Sequence, residues 1–203
     1  MIIDIESDPM HGLQVKRYHT WRKIQTQTVG EHSAQISRIM MTVWPDVPRN
    51  LLMHAILHDV GEVAGDLPYP VKRDDPELKR RMMIAERRAH LRMSERFMLP
   101  DLVMLTEYEE QFFKFCEYLE MWEHCLQERN MGNRYATVML TRMLLAASTL
   151  MGLLDRDVQS RARRYVELRQ EQESETEMVS IGGVFDDPSG EEMVHREKRE
   201  KQS

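Results

Sequence analysis

The run Leu51-Leu52-Met53-His54-Ala55-Ile56-Leu57-His58-Asp59-Val60-Gly61-Glu62 decides how the rest of the chain is read. Leu51, Leu52, Ala55 and Ile56 recur at helical spacing and predict a helix from about Pro48 to Val63 with one buried face. On such a helix His58 and Asp59 stand about 100° apart. A cation in the wedge between them meets a neutral imidazole nitrogen and a short carboxylate together. Glu62 follows His58 by one turn and projects over the same patch, as a candidate acid/base group. The bland reading is a hydrogen-bonded or solvated helix end frayed by Gly61. His54, one turn before His58, either points at the cation or packs behind it.

The flanking segments weigh on that choice. Thr28-Val29-Gly30-Glu31-His32-Ser33 opens another helix, carried on by Ile36, Ile39, Met40 and Val43. His32 lies near its positive end, which favours the neutral imidazole that a metal needs. Before it, Lys16-Arg17-Tyr18-His19-Thr20-Trp21-Arg22-Lys23 interleaves bases with aromatics. That stretch suits a phosphate and a flat ring, Arg forking onto oxygens and Trp or Tyr stacking; it equally suits a basic surface turn anchored by a tryptophan. After the central helix, Gly65-Asp66-Leu67-Pro68-Tyr69-Pro70-Val71-Lys72 is a rigid loop placed to floor a site.

Further segments are helical. Asp75 or Pro76 opens a long charged helix to about Met98. Another runs from about Asp101 to Asn130, broken near Thr106-Glu107, with Phe112, Phe115, Leu119 and Trp122 as its apolar stripe. Met131-Gly132-Asn133 ends it. A last apolar helix spans about Tyr135 to Leu154, with Val138, Leu140, Met143, Leu144 and Ala147 on one side. No segment alternates like a strand between hairpin turns, so the expected fold is all-α. The methionines serve as core filler.

The 203 residues, 41% of them hydrophobic, suffice for one globular domain, expected at 1–170, and a charged tail, 171–203, expected to be mostly disordered. That tail holds ten acidic and four basic residues and so the whole net charge of −6. The body is neutral, and no stable nucleic-acid binding is expected. Cys116 and Cys125 lack CxxC spacing and read as reduced thiols. With no N-terminal apolar core of a signal peptide and no membrane-length stretch, a soluble cytoplasmic protein without membrane contact is expected.

Taken together, His32, His58-Asp59, Glu62 and a downstream carboxylate resemble the HD-domain phosphohydrolases, whose pattern is H…HD…D on a helical bundle. Arg17, Arg22, Val29-x-Glu31-His32-Ser33, His58-Asp59-x-x-Glu62 and Gly65-Asp66-Leu67-Pro68-x-Pro70-Val71-Lys72 resemble one branch of that superfamily. It comprises bacterial 5′-deoxynucleotidases and phage dATP triphosphohydrolases. Lys114-x-x-Glu117, Cys125, Gly132-Asn133 and Thr141-Arg142 extend the resemblance over about residues 13–155.

The resemblance implies an HD-domain bundle with a single divalent metal (Mn, Co, Zn or Mg) held by His32, His58, Asp59 and Glu117. Glu62 and Asp66 are then the catalytic residues; Arg17, Tyr18, Trp21, Arg22, Lys72, Lys79 and Lys114 bind substrate. The implied reaction breaks the ester to the 5′ oxygen of a nucleotide, releasing the nucleoside with phosphate or, from dATP, with triphosphate. The chain departs from the pattern twice. Glu117 stands where the family usually has Asp, leaving Asp101 and Glu120 as fallback ligands, and Tyr18 stands where the deoxynucleotidases often have Trp. Expected partners are the small-molecule nucleotide and further copies of the chain, dimer or larger. Cyclic-nucleotide or alarmone hydrolysis on the same fold is disfavoured, since those enzymes lack the Gly65–Lys72 pattern. The alternative without chemistry is a helical regulatory module that keeps a structural metal.

Overall fold

The computed structural model describes residues 8–18, 22–65, 74–102 and 104–185, the side chains of 173–185 excepted. Among these the expected all-α fold is found: α1 (Pro9–Leu13), α2 (Val29–Val43), α3 (Arg49–Leu57), a 3-10 turn (Val60–Ala64), α4 (Pro76–Phe97), α5 (Glu107–Asn130), α6 (Ala136–Met151) and α7 (Arg156–Phe185). The only pairing of extended backbone among them is the antiparallel bridge between Lys16 and Thr28. Arg17 N–H donates to Gln27 O at 2.9 Å and Val29 N–H to Val15 O at 2.9 Å. The excursion between Arg17 and Gln27 is thereby closed at its base.

Helix starts follow the side chains that satisfy their orphan N–H groups. At α2 the Thr28 hydroxyl accepts from Glu31 N–H (3.2 Å), and the Glu31 carboxylate accepts from Thr28 N–H (2.7 Å), a reciprocal capping box. Thr106 and Glu109 repeat the device at α5. This is why that helix begins at Glu107, at the expected break. Asp75 caps α4, accepting from Leu78 N–H at 2.9 Å.

Helix α5 is the axis of the core. Phe112, Phe115, Leu119 and Trp122 are buried as expected, and the helix packs on α2, α3 and most extensively on α6. Burying such a side chain contributes roughly 1.5–3 kcal/mol. From α2 the same core receives Ile36, Ile39, Met40 and Val43. Two expected faces are only partly buried: Ile56 on α3 is 46% exposed and Val138 on α6 58%.

The central helix is shorter than its periodicity suggests. It ends at Leu57, and His58 is its C-cap. The His58 ring donates from Nδ1 to Ala55 O at 2.9 Å, a carbonyl in the last helical turn. Asp59 has left helical geometry (φ −102, ψ 1), and Glu62 rides the following 3-10 turn. The reason is packing. A Cβ at Gly61 would lie 2.3 Å from Glu86 O in α4, and one at Gly12 in α1 would lie 2.3 Å from Val60 O. The turn is gripped between two neighbouring backbones, which a continuing α-helix would not fit.

At the other end of the chain, α7 runs on to Phe185. Residues 171–185, expected to lack regular structure, have helical backbone; 186–203 lie outside the described residues. The Glu-, Gln- and Arg-rich sequence is helix-forming, and Arg164 pairs with Glu167 (3.6 Å) and Glu171 (3.4 Å) along one face. The chain divides into two compact units, Met1–Arg161 and Ala162–Ser203.

Replacing Gly61 with Ala forces a methyl group into the Glu86 backbone. Thermal or denaturant unfolding of this variant is expected to show a loss of about 1–3 kcal/mol. Wild-type stability would mean that α4 does not clamp the turn.

Candidate metal centre and active site

Three side chains converge where α2, α3 and the 3-10 turn meet. His32 comes from the first turn of α2, His58 from the cap of α3, Asp59 from the residue after it. One ligand atom from each lies within 4.8 Å of the others. Asp59 Oδ2 is 3.1 Å from His58 Nε2 and 3.7 Å from His32 Nε2.

The tautomers of both rings follow from their other nitrogens. His58 Nδ1 donates to Ala55 O, and His32 Nδ1 donates to Glu120 Oε2 at 2.7 Å. In the neutral ring each Nε2 then presents a lone pair, and each is a buried atom without a hydrogen-bond partner. Two imidazole lone pairs facing one carboxylate oxygen repel it unless positive charge lies among them. A divalent cation meets that demand: two borderline nitrogens and one hard oxygen form a mixed set that suits zinc, manganese or cobalt. A second proton on the His58 ring is the other source of positive charge among these groups. Burial pushes its imidazole down, but Asp59 and Glu117 more than offset this and hold it above the ordinary value. Asp59 is held far below the carboxylate range; burial opposes this, and His58, Arg17 and His32 outweigh it.

The other expected site residues sort as follows. Glu117 Oε1 lies 3.8 Å from His58 Nε2, behind the tight trio, while its Oε2 accepts from Lys114 Nζ. Arg17 Nη1 donates to Asp59 Oδ2 at 2.5 Å. Burial opposes its charge, but Asp59, Glu62 and Glu120 keep the guanidinium firmly protonated. Glu62 is half-buried on the 3-10 turn, near enough to Arg17 to act on it electrostatically. Tyr18 has φ +53, unusual for a bulky residue, and stacks on His124 (5.2 Å between centroids) with Arg17 above it at 5.3 Å.

Arg22 donates to Tyr135 Oη at 2.8 Å and lies over its ring. Lys79 is exposed at the start of α4. Trp21, Asp66 and Lys72 lie outside the described residues. His54 is a packing histidine: it stacks on His58 at 6.2 Å and meets Phe113 edge-on at 4.9 Å. Of the fallback ligands, Asp101 is exposed. Glu120 meets His32 at Nδ1, on the side of the ring away from the nitrogen turned to Asp59.

Sequence reading missed a polar row along α5. Glu120, His124 and Glu128 are buried and spaced by four residues, a pattern that could have marked a second inward face. Glu128 accepts from Ile24 N–H (2.8 Å), Gln25 N–H (2.6 Å) and Asn133 Nδ2 (2.6 Å). Asn133 also donates to Arg22 O at 2.8 Å. The row thus ties down the excursion that carries Arg17 and Tyr18.

Against this geometry, the chain matches a family model described as 5′-deoxynucleotidase YfbR-like over residues 10–150. It is 27% identical over 152 residues to the 5′-deoxynucleotidase plu3092 of Photorhabdus laumondii, covering 64% of this chain and 75% of that one. It is 28% identical over 140 residues to the 5′-deoxynucleotidase yfbR of Photorhabdus temperata, covering 59% and 70%. Among solved structures, it superposes on the cyanophage S-2L HD phosphohydrolase DatZ, bound to dA and one catalytic Zn2+, with TM-score 0.62 and 16% identity over 85% of this chain and 98% of that one. At that identity the likeness concerns the fold.

Glu128 yields a test by pH. Burial raises its carboxyl, but the bonds from Asn133, Gln25 and Ile24 outweigh this and hold it below the ordinary value. A depressed folded value means stability that is complete above the unfolded glutamate pKa, about 4.3, and lost as pH falls further. Glu128→Gln is expected to cost about 1–3 kcal/mol at pH 7 and to flatten the acid side of the Tm–pH curve. An unchanged acid limb would free the loop from this anchor.

Proposed function

Because the chain belongs to the YfbR-like 5′-deoxynucleotidase family, we propose that it hydrolyses the 5′ phosphate ester of (2′-deoxy)nucleotides as a metal-dependent HD-domain phosphohydrolase. The observation that carries the reading is the pair of unpartnered Nε2 atoms, His32 and His58, turned on Asp59 Oδ2. His32, His58 and Asp59 would hold the cation, with Glu117 completing the set. When bound, the metal supplies Lewis acidity toward the phosphate and the attacking water.

The remaining work falls to this chain's own groups. Arg17, charged and close to Asp59, binds and neutralises phosphate oxygens. Glu62 orients the water and takes its proton at a carboxylate oxygen. Asp66 handles the sugar hydroxyl or leaving oxygen, and Lys72 the phosphate; both rest on the resemblance of the Gly65–Lys72 run. Tyr18, Trp21, Arg22, Lys79 and Lys114 are proposed around the sugar and phosphates. Monophosphate and triphosphate both suit this set, and its surplus of Lys and Arg favours tolerance of the triphosphate.

Residues 1–170 are proposed to hold the whole activity, since the family match ends at residue 150. The setting is the cytoplasm, in keeping with two free buried cysteines, Cys116 and Cys125. Self-association, as a dimer or larger, is supported by the large apolar side chains that α6 and its ends leave exposed, Tyr135, Val138, Leu145 and Leu153.

Phosphate and triphosphate release from a panel of deoxy- and ribonucleotides tests the reading, with metal content measured on the same protein. His58→Ala and Asp59→Ala are each expected to lose bound metal and turnover while keeping helicity. Glu62→Ala should keep the metal and lose turnover by about 100-fold or more. Glu117→Gln should weaken metal binding by roughly tenfold. Metal retained by the wild type without turnover on any nucleotide would favour the regulatory module instead.

A further inference from the structure

Glu120 is 1% exposed, and both of its oxygens are used. Oε2 accepts from His32 Nδ1 at 2.7 Å, and Oε1 accepts from Gln27 Nε2 at 2.5 Å. Gln27, itself buried, accepts at its main-chain oxygen from Arg17 N–H at 2.9 Å. Lys23 Nζ donates to Arg17 O at 2.5 Å. Arg17 then reaches across to Asp59 Oδ2, the oxygen faced by both histidines. Gln27, Glu120 and His32 on one side, and Arg17 and Asp59 on the other, thus form a hydrogen-bonded chain that runs from α2 through α5 and the Arg17–Gln27 segment to the turn after α3, and returns to within 3.7 Å of His32 Nε2.

We infer that Glu120 is a positioning residue that couples cation binding at the His32–His58–Asp59 trio to phosphate binding at Arg17. The inference rests on the roles given above to those residues. An ionised carboxylate can only accept, so it obliges His32 to carry its proton on Nδ1 and leaves Nε2 free as a ligand. An amide at the same place could present its NH2 group and drive the proton to Nε2, blocking that ligand. The second oxygen fixes the Gln27 side chain, and with it the strand of backbone from which Arg17 projects. A shift of His32 on binding a cation then reaches Arg17 along these hydrogen bonds and the Gln27 main chain. Such coupling is reciprocal: phosphate must tighten the cation by the factor by which the cation tightens phosphate.

The test needs no turnover. Cobalt(II) is titrated into metal-free full-length protein, with and without inorganic phosphate, for wild type, Glu120→Gln and Gln27→Met. Thermal melts report folding. Glu120→Gln is expected to weaken cobalt binding by roughly tenfold or more. Gln27→Met leaves the cation side of the circuit intact. It should bind cobalt within about threefold of wild type and lose about fivefold of the tightening that phosphate gives, the low end of common coupling factors. Wild-type cobalt affinity in folded Glu120→Gln would overturn the orienting role. Undiminished tightening by phosphate in Gln27→Met would overturn the coupling, and this variant decides it even where Glu120→Gln fails to fold. Failure of the catalytic reading would appear separately, as wild-type protein that releases no phosphate from any nucleotide.

Discussion

A single carboxylate oxygen, Asp59 Oδ2, is the point on which the site closes. A guanidinium at 2.5 Å and two imidazole nitrogens at 3.1 and 3.7 Å meet there, brought by three separate stretches of chain. Burial makes that concentration of charge costly unless every member is compensated. The compensation explains much of the surrounding sequence. Glu120 answers His32, Ala55 O answers His58, and the excursion between Arg17 and Gln27 is bolted down at Lys23, Ile24, Gln25 and Gln27. The hydrophobic face of α5 holds the helices together, and its polar row holds the loop to them.

The fold class was legible because helix periodicity and capping act locally. Thr28 with Glu31, and Thr106 with Glu109, announce helix starts within four residues of sequence. The trio was legible because His58 and Asp59 are adjacent, His32 opens a helix, and their order resembles the H…HD…D pattern. The error at the central helix has a different origin. Periodicity through Val63 is a property of the segment alone, whereas its early end is imposed by α1 and α4 closing on Gly12 and Gly61, contacts no short window contains.

The role of Glu120 was hidden for a related reason. In sequence it reads as one more acid on a charged helix, a spare ligand beside Glu117. Only the direction from which it meets His32 tells a ligand from an orienting group. Glu128 likewise carries no motif; its meaning lies in Ile24 and Gln25, over a hundred residues earlier. Long-range hydrogen bonds of this kind join residue types that are each common on solvated helices. Their only trace in the sequence is the four-residue rhythm of Glu120, His124 and Glu128.

The two glycine contacts carry one more consequence. Side chains between packed elements act as springs, absorbing small displacements by changing rotamer. Where Gly61 faces Glu86 O no such spring exists, because main chain bears on main chain, and where Gly12 meets Val60 O only the short, stiff Val60 side chain lies beside the contact. Dense packing transmits strain, and here it does so with little compliant side chain between the backbones. The pitch and tilt of α1 and α4 are thus passed on with little damping to the turn that carries Asp59 and Glu62. The outer helices are, mechanically, part of the active site's frame.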